Sequence, residues 1–311
     1  MSFKRETPWD IKLHRAAIRG DSDIINHLLN SGRVHVDCRD NDGTTPLMFA
    51  VAGCNYNCVQ ELLEQNADPN AKRFETRTSP LFLAAQNGDI DTLRLLLKYG
   101  AELDQPNCDG GTPLFVACQE GHDMMVRELL ALGADPNHPM KDRATPLFVA
   151  AQNGHCTITR LLLSKGAIVD IRRIDGATPL WISCQMGHAT VCSSLLEKGA
   201  FVDALRNDGA SPLFKAAHKG FRDVVRVLLP YKPKLGFLPN GESALHGAAM
   251  FGHLDVIRTL LHAGSDVSLT NRDGNTPYQI ALKYKHPHVA DYLKSLISST
   301  PKPKPSQGQN L

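Results

Sequence analysis

The apolar positions of this chain come in short runs that return at nearly constant spacing. A run such as "LFVAA" at 147–151 is followed by the polar "QNG", then by a second run with paired apolar positions, such as "LRLLL" from Leu93 or "VVRVLL" from Val224. Apolar residues three and four apart make one helical face, so each pair of runs predicts two short helices. Thr-Pro or Ser-Pro precedes the first run, as at Thr145-Pro146; the hydroxyl caps a helix and proline suits its first turn. Glycine follows the first run at Gly88, Gly121, Gly154, Gly187, Gly220 and Gly252, where a left-handed residue can close the helix. A second glycine closes the second helix, as in "YGAELD" and "KGAIVD", and Asp-Gly in "NDGTTP" or "IDGATP" marks a tight turn into the next copy.

The motif proline falls at Pro46, Pro80, Pro113, Pro146, Pro179 and Pro212, then Ala244, then Pro277, in steps of 34, 33, 33, 33, 33, 32 and 33 residues. A degenerate copy, "KLHRAAIRGD" from Lys12, precedes Pro46 by 34 residues and is read as lacking Thr-Pro, which brings the expectation to nine copies. A helix pair with a projecting turn every 33 residues resembles the ankyrin repeat, whose signature is Thr-Pro-Leu-His-x-Ala. The resemblance covers residues 7–297, and "PLWISCQMGH", "RNDG" and "LPNGESALH" look like a subgroup built of ankyrin repeats alone. It implies an all-α solenoid of about nine helix-turn-helix repeats, because one copy cannot bury its apolar face without a neighbour.

Residues 1–6 read as a lead and 298–311, with "STPKPKPSQGQNL" in it, as a disordered polar tail. The tail prolines at 301, 303 and 305 miss the PxxP spacing. An irregular join is expected at 230–242, where Pro230 and Pro233 should end a second helix early. The end copies differ from the rest as solvent-facing caps should.

The family's motif histidine stands only at His14 and His246, while Met48, Phe82, Phe115, Phe148, Trp181 and Phe214 fill the same place elsewhere. An apolar stripe between repeats, replacing histidine hydrogen bonds, is preferred here to an aromatic ligand groove. Gln86, Gln119, Gln152 and Gln185 form a second ladder. Amide bonding along the stack and contact with a partner both fit it.

Lys+Arg 34 against Asp+Glu 32 leaves a net charge of +2, with no global attraction to nucleic acid or anionic lipid. No apolar run reaches the ~18–20 residues that cross a bilayer, and "MSFKRETPWD" does not read as a secretory signal. Eight cysteines are read as free thiols in a reducing cytoplasm or nucleus. Cys54 and Cys58 lack the second pair a zinc site needs. His122, His155, His188 and His253 recur after the helix-ending glycine, a place that helix capping and inter-helix bonding explain. His286-Pro-His288 is at most a weak surface metal site. Phosphate-loop, dinucleotide-binding, HExxH and GxSxG motifs do not occur. The expectation is a non-enzyme with no cofactor, no small-molecule substrate and no metal.

The ankyrin resemblance implies protein binding by the turn tips and the concave first-helix face. At the tips the candidates are Arg39, Asp42, Glu75, Asp109, Lys141, Arg172, Asp175 and Asp208. On the helices they are the pairs Gln86/Asn87, Gln119/Glu120, Gln152/Asn153, Gln185/Met186, His218/Lys219 and Met250/Phe251. The strip turns apolar and basic in copies six to eight, which makes Met186, Met250 and Phe251 a candidate hot spot beside cations. The reading is a monomeric scaffold or adaptor. The alternative is a regulatory or inhibitory subunit of an enzyme or transcription complex. Nucleic-acid binding is the weaker third class, resting on Lys215, Lys219, Arg222, Arg226, Lys232 and Lys234.

Overall fold

The structure is a computed structural model that describes residues 6–239 and 241–299. The chain divides into two compact units, Met1–Ile174 and Asp175–Leu311. In the first unit the helices are α1 (Pro8–Arg19), α2 (Ser22–Asn30), α3 (Pro46–Ala52), α4 (Tyr56–Glu64), α5 (Pro80–Asn87), α6 (Ile90–Lys98), α7 (Pro113–Glu120), α8 (Asp123–Ala131), α9 (Pro146–Asn153) and α10 (Cys156–Ser164). In the second they are α11 (Pro179–Met186), α12 (Ala189–Glu197), α13 (Pro212–Lys219), α14 (Arg222–Leu228), α15 (Ala244–Met250), α16 (Leu254–His262), α17 (Pro277–Lys283) and α18 (Pro287–Ser299). No strand occurs among the described residues.

Odd-numbered helices stack on odd and even on even within each unit: α1, α3, α5, α7 and α9 form one layer and α2 to α10 the other, and α11, α13, α15 and α17 repeat the plan. The first helices start where the hydroxyl-proline signal expects. Thr45, Ser79, Thr112, Thr145, Thr178, Ser211, Ser243 and Thr276 each accept a hydrogen bond from the backbone amide three residues on. Each such cap contributes about 1 kcal/mol. The apolar runs form the core between the layers: Leu47, Leu114, Leu180 and Leu213 are fully buried, as are Leu62, Leu96, Leu162 and Leu195 on the second helices. Each buried leucine contributes roughly 1.5–3 kcal/mol.

The first helix corrects the sequence reading. Thr7-Pro8 caps α1 one turn upstream of the expected register, in a full capping box: Asp10 N donates to Thr7 Oγ1 at 3.2 Å and Thr7 N to Asp10 Oδ2 at 2.8 Å. This copy has its Thr-Pro start, displaced by a longer helix of 12 residues. At the irregular join α14 holds 7 residues where α12 and α16 hold 9, and a 3-10 turn at Leu229–Tyr231 follows. α18 continues to Ser299. The rest of the expected tail, and residues 1–5 of the expected lead, lie outside the described residues.

The turn tips are joined by backbone hydrogen bonds. In the first unit Phe74 N donates to Asp42 O at 3.0 Å, Cys108 N to Thr76 O at 2.8 Å, Lys141 N to Asp109 O at 2.8 Å and Ile174 N to Asp142 O at 2.9 Å. In the second, Asn207 N donates to Asp175 O at 3.0 Å.

Candidate protein-interaction face

The place of the motif histidine is structural. Met48, Phe115, Phe148 and Trp181 are 0%, 7%, 2% and 1% exposed, and Phe82 and Phe214 are half-buried. The stripe is core, and it is not purely apolar. His246 Nε2 donates to Asn275 O at 3.1 Å, and Trp181 Nε1 donates to Ala210 O at 3.0 Å, both spanning 29 residues. Trp181 therefore keeps the bond that histidine makes, with a larger ring. His246 Nδ1 accepts from Ser243 Oγ at 2.7 Å. Both bonds suit the neutral ring, and burial pushes its pKa below the ordinary 6.5.

The histidines after the first glycine reach backwards and do not cap their own helices. His122 Nε2 donates to Gln86 O at 2.8 Å, His155 Nε2 to Gln119 O at 3.1 Å, His253 Nε2 to His218 O at 3.1 Å and His286 Nε2 to Met250 O at 3.0 Å. None of His122, His155 and His253 makes a side-chain cap. The capping half of the sequence reading falls and the inter-helix half stands. Asn55 plays the same part through Nδ2 to Ala17 O at 2.8 Å. Each ring lies over the glycine of the previous repeat: a Cβ on Gly121 would come within 2.6 Å of His155, and one on Gly220 within 2.6 Å of His253. His286 is thus a rung of this ladder, and His288 Nε2 donates to Gly252 O at 3.2 Å. Backbone carbonyls thus take the Nε2–H of both histidines.

Of the first-unit strip, Gln86, Asn87, Gln119, Glu120 and Asn153 are exposed and Gln152 is half-buried. Asn87 Nδ2 donates to Val51 O at 3.1 Å and Asn153 Nδ2 to Gln119 O at 2.9 Å. Gln119 Nε2 donates to Glu120 Oε1 at 3.0 Å. The carbonyls of Gln86 and Gln119 carry bonds between repeats through the histidines.

The second-unit strip differs. Met186 and Phe251 are each 46% exposed, Lys219 is exposed, and Gln185, His218 and Met250 are half-buried. Met186, Lys219 and Phe251 hold equivalent places on successive helices, so Met186 and Phe251 stand two helix spacings apart, roughly 20 Å. The sequence did not reveal that the His218 ring lies 4.2 Å from the Phe251 ring, centroid to centroid, with Phe214 5.9 Å behind it. Burial first, then Lys215, Lys219 and His253, push the His218 pKa down. The histidine is an aromatic platform for Phe251.

At the tips, Arg39 Nη1 donates to Lys72 O at 2.7 Å and to Gly43 O at 3.3 Å, and its guanidinium lies 5.6 Å from the Phe74 ring. Arg206 ties Asp175 (3.0 Å) to Asp208 (3.3 Å) while stacking 5.0 Å from the Trp181 ring. These candidates hold neighbouring tips together. Asp42, Glu75, Asp109, Lys141 and Arg172 are exposed.

Cys58 is buried in α4 while Cys54 is exposed at the end of α3, so the two do not converge. Burial, helped by Asp21, pushes the Cys58 thiol up to about 11. Among the described residues no cluster of three or more His, Cys, Asp or Glu could hold a metal ion. No described helix is long and apolar enough to cross a membrane.

Comparison with known proteins adds independent support. A stretch of 73 residues is 51% identical to ankyrin repeat domain-containing protein 29 of Danio rerio and 52% identical to that of Homo sapiens. It covers 24% of this chain and 24% of each relative, so the match spans about a quarter of their length. Ankyrin repeat protein nuc-2 of Neurospora crassa is 37% identical over 95 residues, 30% of this chain and 9% of that protein. The family model for ankyrin repeats in three copies matches residues 10–73, 70–140, 134–206, 202–271 and 237–302. Those matches fall on the capped, glycine-closed helix pairs, and the chain belongs to the ankyrin-repeat family, whose arrays are protein-interaction domains.

Proposed function

We propose that this chain is a monomeric, non-catalytic scaffold or adaptor that grips a protein partner on the first-helix face of its second unit. One observation carries the reading: Met186 and Phe251 are each 46% exposed where the first unit places Asn87, Glu120 and Asn153. Packing does not require apolar side chains at these places, since polar ones serve the same fold in the first unit. Exposed large apolar side chains beside a cation are the composition of a binding hot spot. Lys219, between them, would steer an acidic partner more than it adds affinity. The six cations of the nucleic-acid reading are divided among α13, α14 and the segment after it, which argues for protein. The test is a photo-crosslinking residue placed at Phe251, at Met186 or, as control, at Arg94 on α6. Adducts with one protein from Phe251 and Met186, and none from Arg94, are expected. Adducts from Arg94 alone would sink the reading.

A further inference from the structure

The second helices carry a feature that the first-helix reading does not use. Arginine recurs on them at Arg94, Arg127, Arg160, Arg226 and Arg258. Between α6 and α8 the first of these is neutralised, with Arg94 Nε 2.8 Å from Glu128 Oε1 on the next repeat. In the α14–α16 groove the place of Glu128 is taken by Thr259. Arg226 is left with Asp223 of its own helix at 4.0 Å, and Arg258 with Asp255 at 3.9 Å. Arg222 adds a third guanidinium, with no ion-pair partner among the described residues. The groove has a volume of about 510 Å³, and no carboxylate lines it. Leu229, Ala263 and His262 complete its wall. Arg258 is held in place from behind by the Tyr292 ring, 5.2 Å from its guanidinium carbon.

We propose that the groove between α14 and α16 is a second binding site, for an acidic peptide segment that presents carboxylates to Arg222, Arg226 and Arg258. The guanidinium fork matches a carboxylate through paired N–H donors, and Leu229 and Ala263 give an apolar residue of the peptide a seat. The groove is short, since seven residues of α14 extend only about 10 Å. Its one lining ring is His262, whose Nδ1 is tied to Arg258 O at 2.6 Å, so it offers no row of rings for successive bases. Both features favour peptide over nucleic acid. The site is independent of Met186 and Phe251, which lie on first helices.

The test is fluorescence anisotropy of the full chain with a labelled peptide carrying Glu at i and i+4 around a Leu. Its Gln counterpart and a single-stranded oligonucleotide of equal charge serve as comparisons. The Glu peptide should bind, the Gln peptide should not, and added salt should weaken the complex. Arg222→Ala with Arg226→Ala should weaken it about tenfold or more. Thr259→Glu should do the same by supplying the carboxylate that Arg94 already has. That variant keeps every arginine, so it decides the matter if the alanine pair lowers the melting temperature. Met186→Ala with Phe251→Ala should leave the affinity unchanged. Peptide affinity that ignores Thr259→Glu, or an oligonucleotide that binds more tightly with the same arginine dependence, would overturn the proposal.

Discussion

In the first unit the exposed ends of the first helices are occupied by Asn87, Glu120 and Asn153, and two of these turn their amides onto carbonyls of the preceding repeat. In the second unit the same places hold Met186, Lys219 and Phe251, which serve no such bond among the described residues. Beneath the surface the units agree. Hydroxyl caps, left-handed glycines and buried leucines recur in both, and histidine-to-carbonyl bonds run through each. Packing is therefore supplied by positions that hardly vary, and the strip above them is free to carry recognition. On the proposed reading the second unit uses that freedom and the first does not.

The largest expected effect challenges the claim that the inner stripe is shared. Trp181→Ala should cost about 3–5 kcal/mol in urea unfolding. Phe148→Ala, the same place in the first unit, should fall in that range and cost less than Trp181→Ala. Trp181→Phe removes the bond to Ala210 O together with part of the ring, and should cost about 1–3 kcal/mol, less than Trp181→Ala. Equal losses for Trp181→Phe and Trp181→Ala would mean that the hydrogen bond, rather than the ring, holds the second unit.

A smaller effect concerns the left-handed seat at the end of the first helices. Gly121 has φ +81°, and an added Cβ would meet His155 at 2.6 Å, so Gly121→Ala should cost about 2 kcal/mol. Cys54 occupies the equivalent seat at φ +54° without being glycine. Cys54→Gly should stabilise the chain by about 1 kcal/mol, read as a raised Tm. A lower Tm would show that the thiol earns its place through Asn87, whose Nδ2 lies 3.4 Å from its Sγ.

The smallest effect separates the units by pH. His218, His246 and His253 all have pKa values pushed below 6.5, chiefly by burial, and all lie in the second unit. A depressed folded pKa means the unfolded chain binds more protons between that value and 6.5. Stability should hold above about pH 6.5 and decline as pH falls through the lowered values. Trp181 fluorescence in a Trp9→Phe background follows the second unit, and its melting temperature should drop between pH 7.5 and pH 5. A temperature that rises on acidification would contradict the burial of these rings.

Much of this was legible in the sequence because the fold is local and periodic. Thr145-Pro146 and Gly154 announce a helix's start and stop within ten residues, and the step to Pro179 repeats the message. The displaced start at Thr7-Pro8 was missed because the register was anchored on Lys12, and a helix longer by one turn leaves the apolar period unchanged. The reach of His155 to Gln119 O spans 36 residues, a distance over which sequence pattern carries no direction for a side chain. His286 stood outside the set of histidines that follow a glycine, because Lys285 takes the glycine's place before it. The change along the first-helix strip was legible only as composition; the placing of His218 under Phe251 is a contact between neighbouring repeats that composition does not carry.

The contrast between the two strips can be tested by capturing partners from cells with three forms of the chain in parallel. These are the wild type, a second-unit variant (Met186→Ala, Met250→Ala, Phe251→Ala) and a first-unit variant (Gln86→Ala, Gln119→Ala, Glu120→Ala), each with its melting temperature checked. The expected result is that a partner retained by the wild type and the first-unit variant is lost, by about tenfold or more, from the second-unit variant while that variant remains folded. Undiminished capture by the second-unit variant, with loss from the first-unit variant, would contradict it and move recognition to the polar strip.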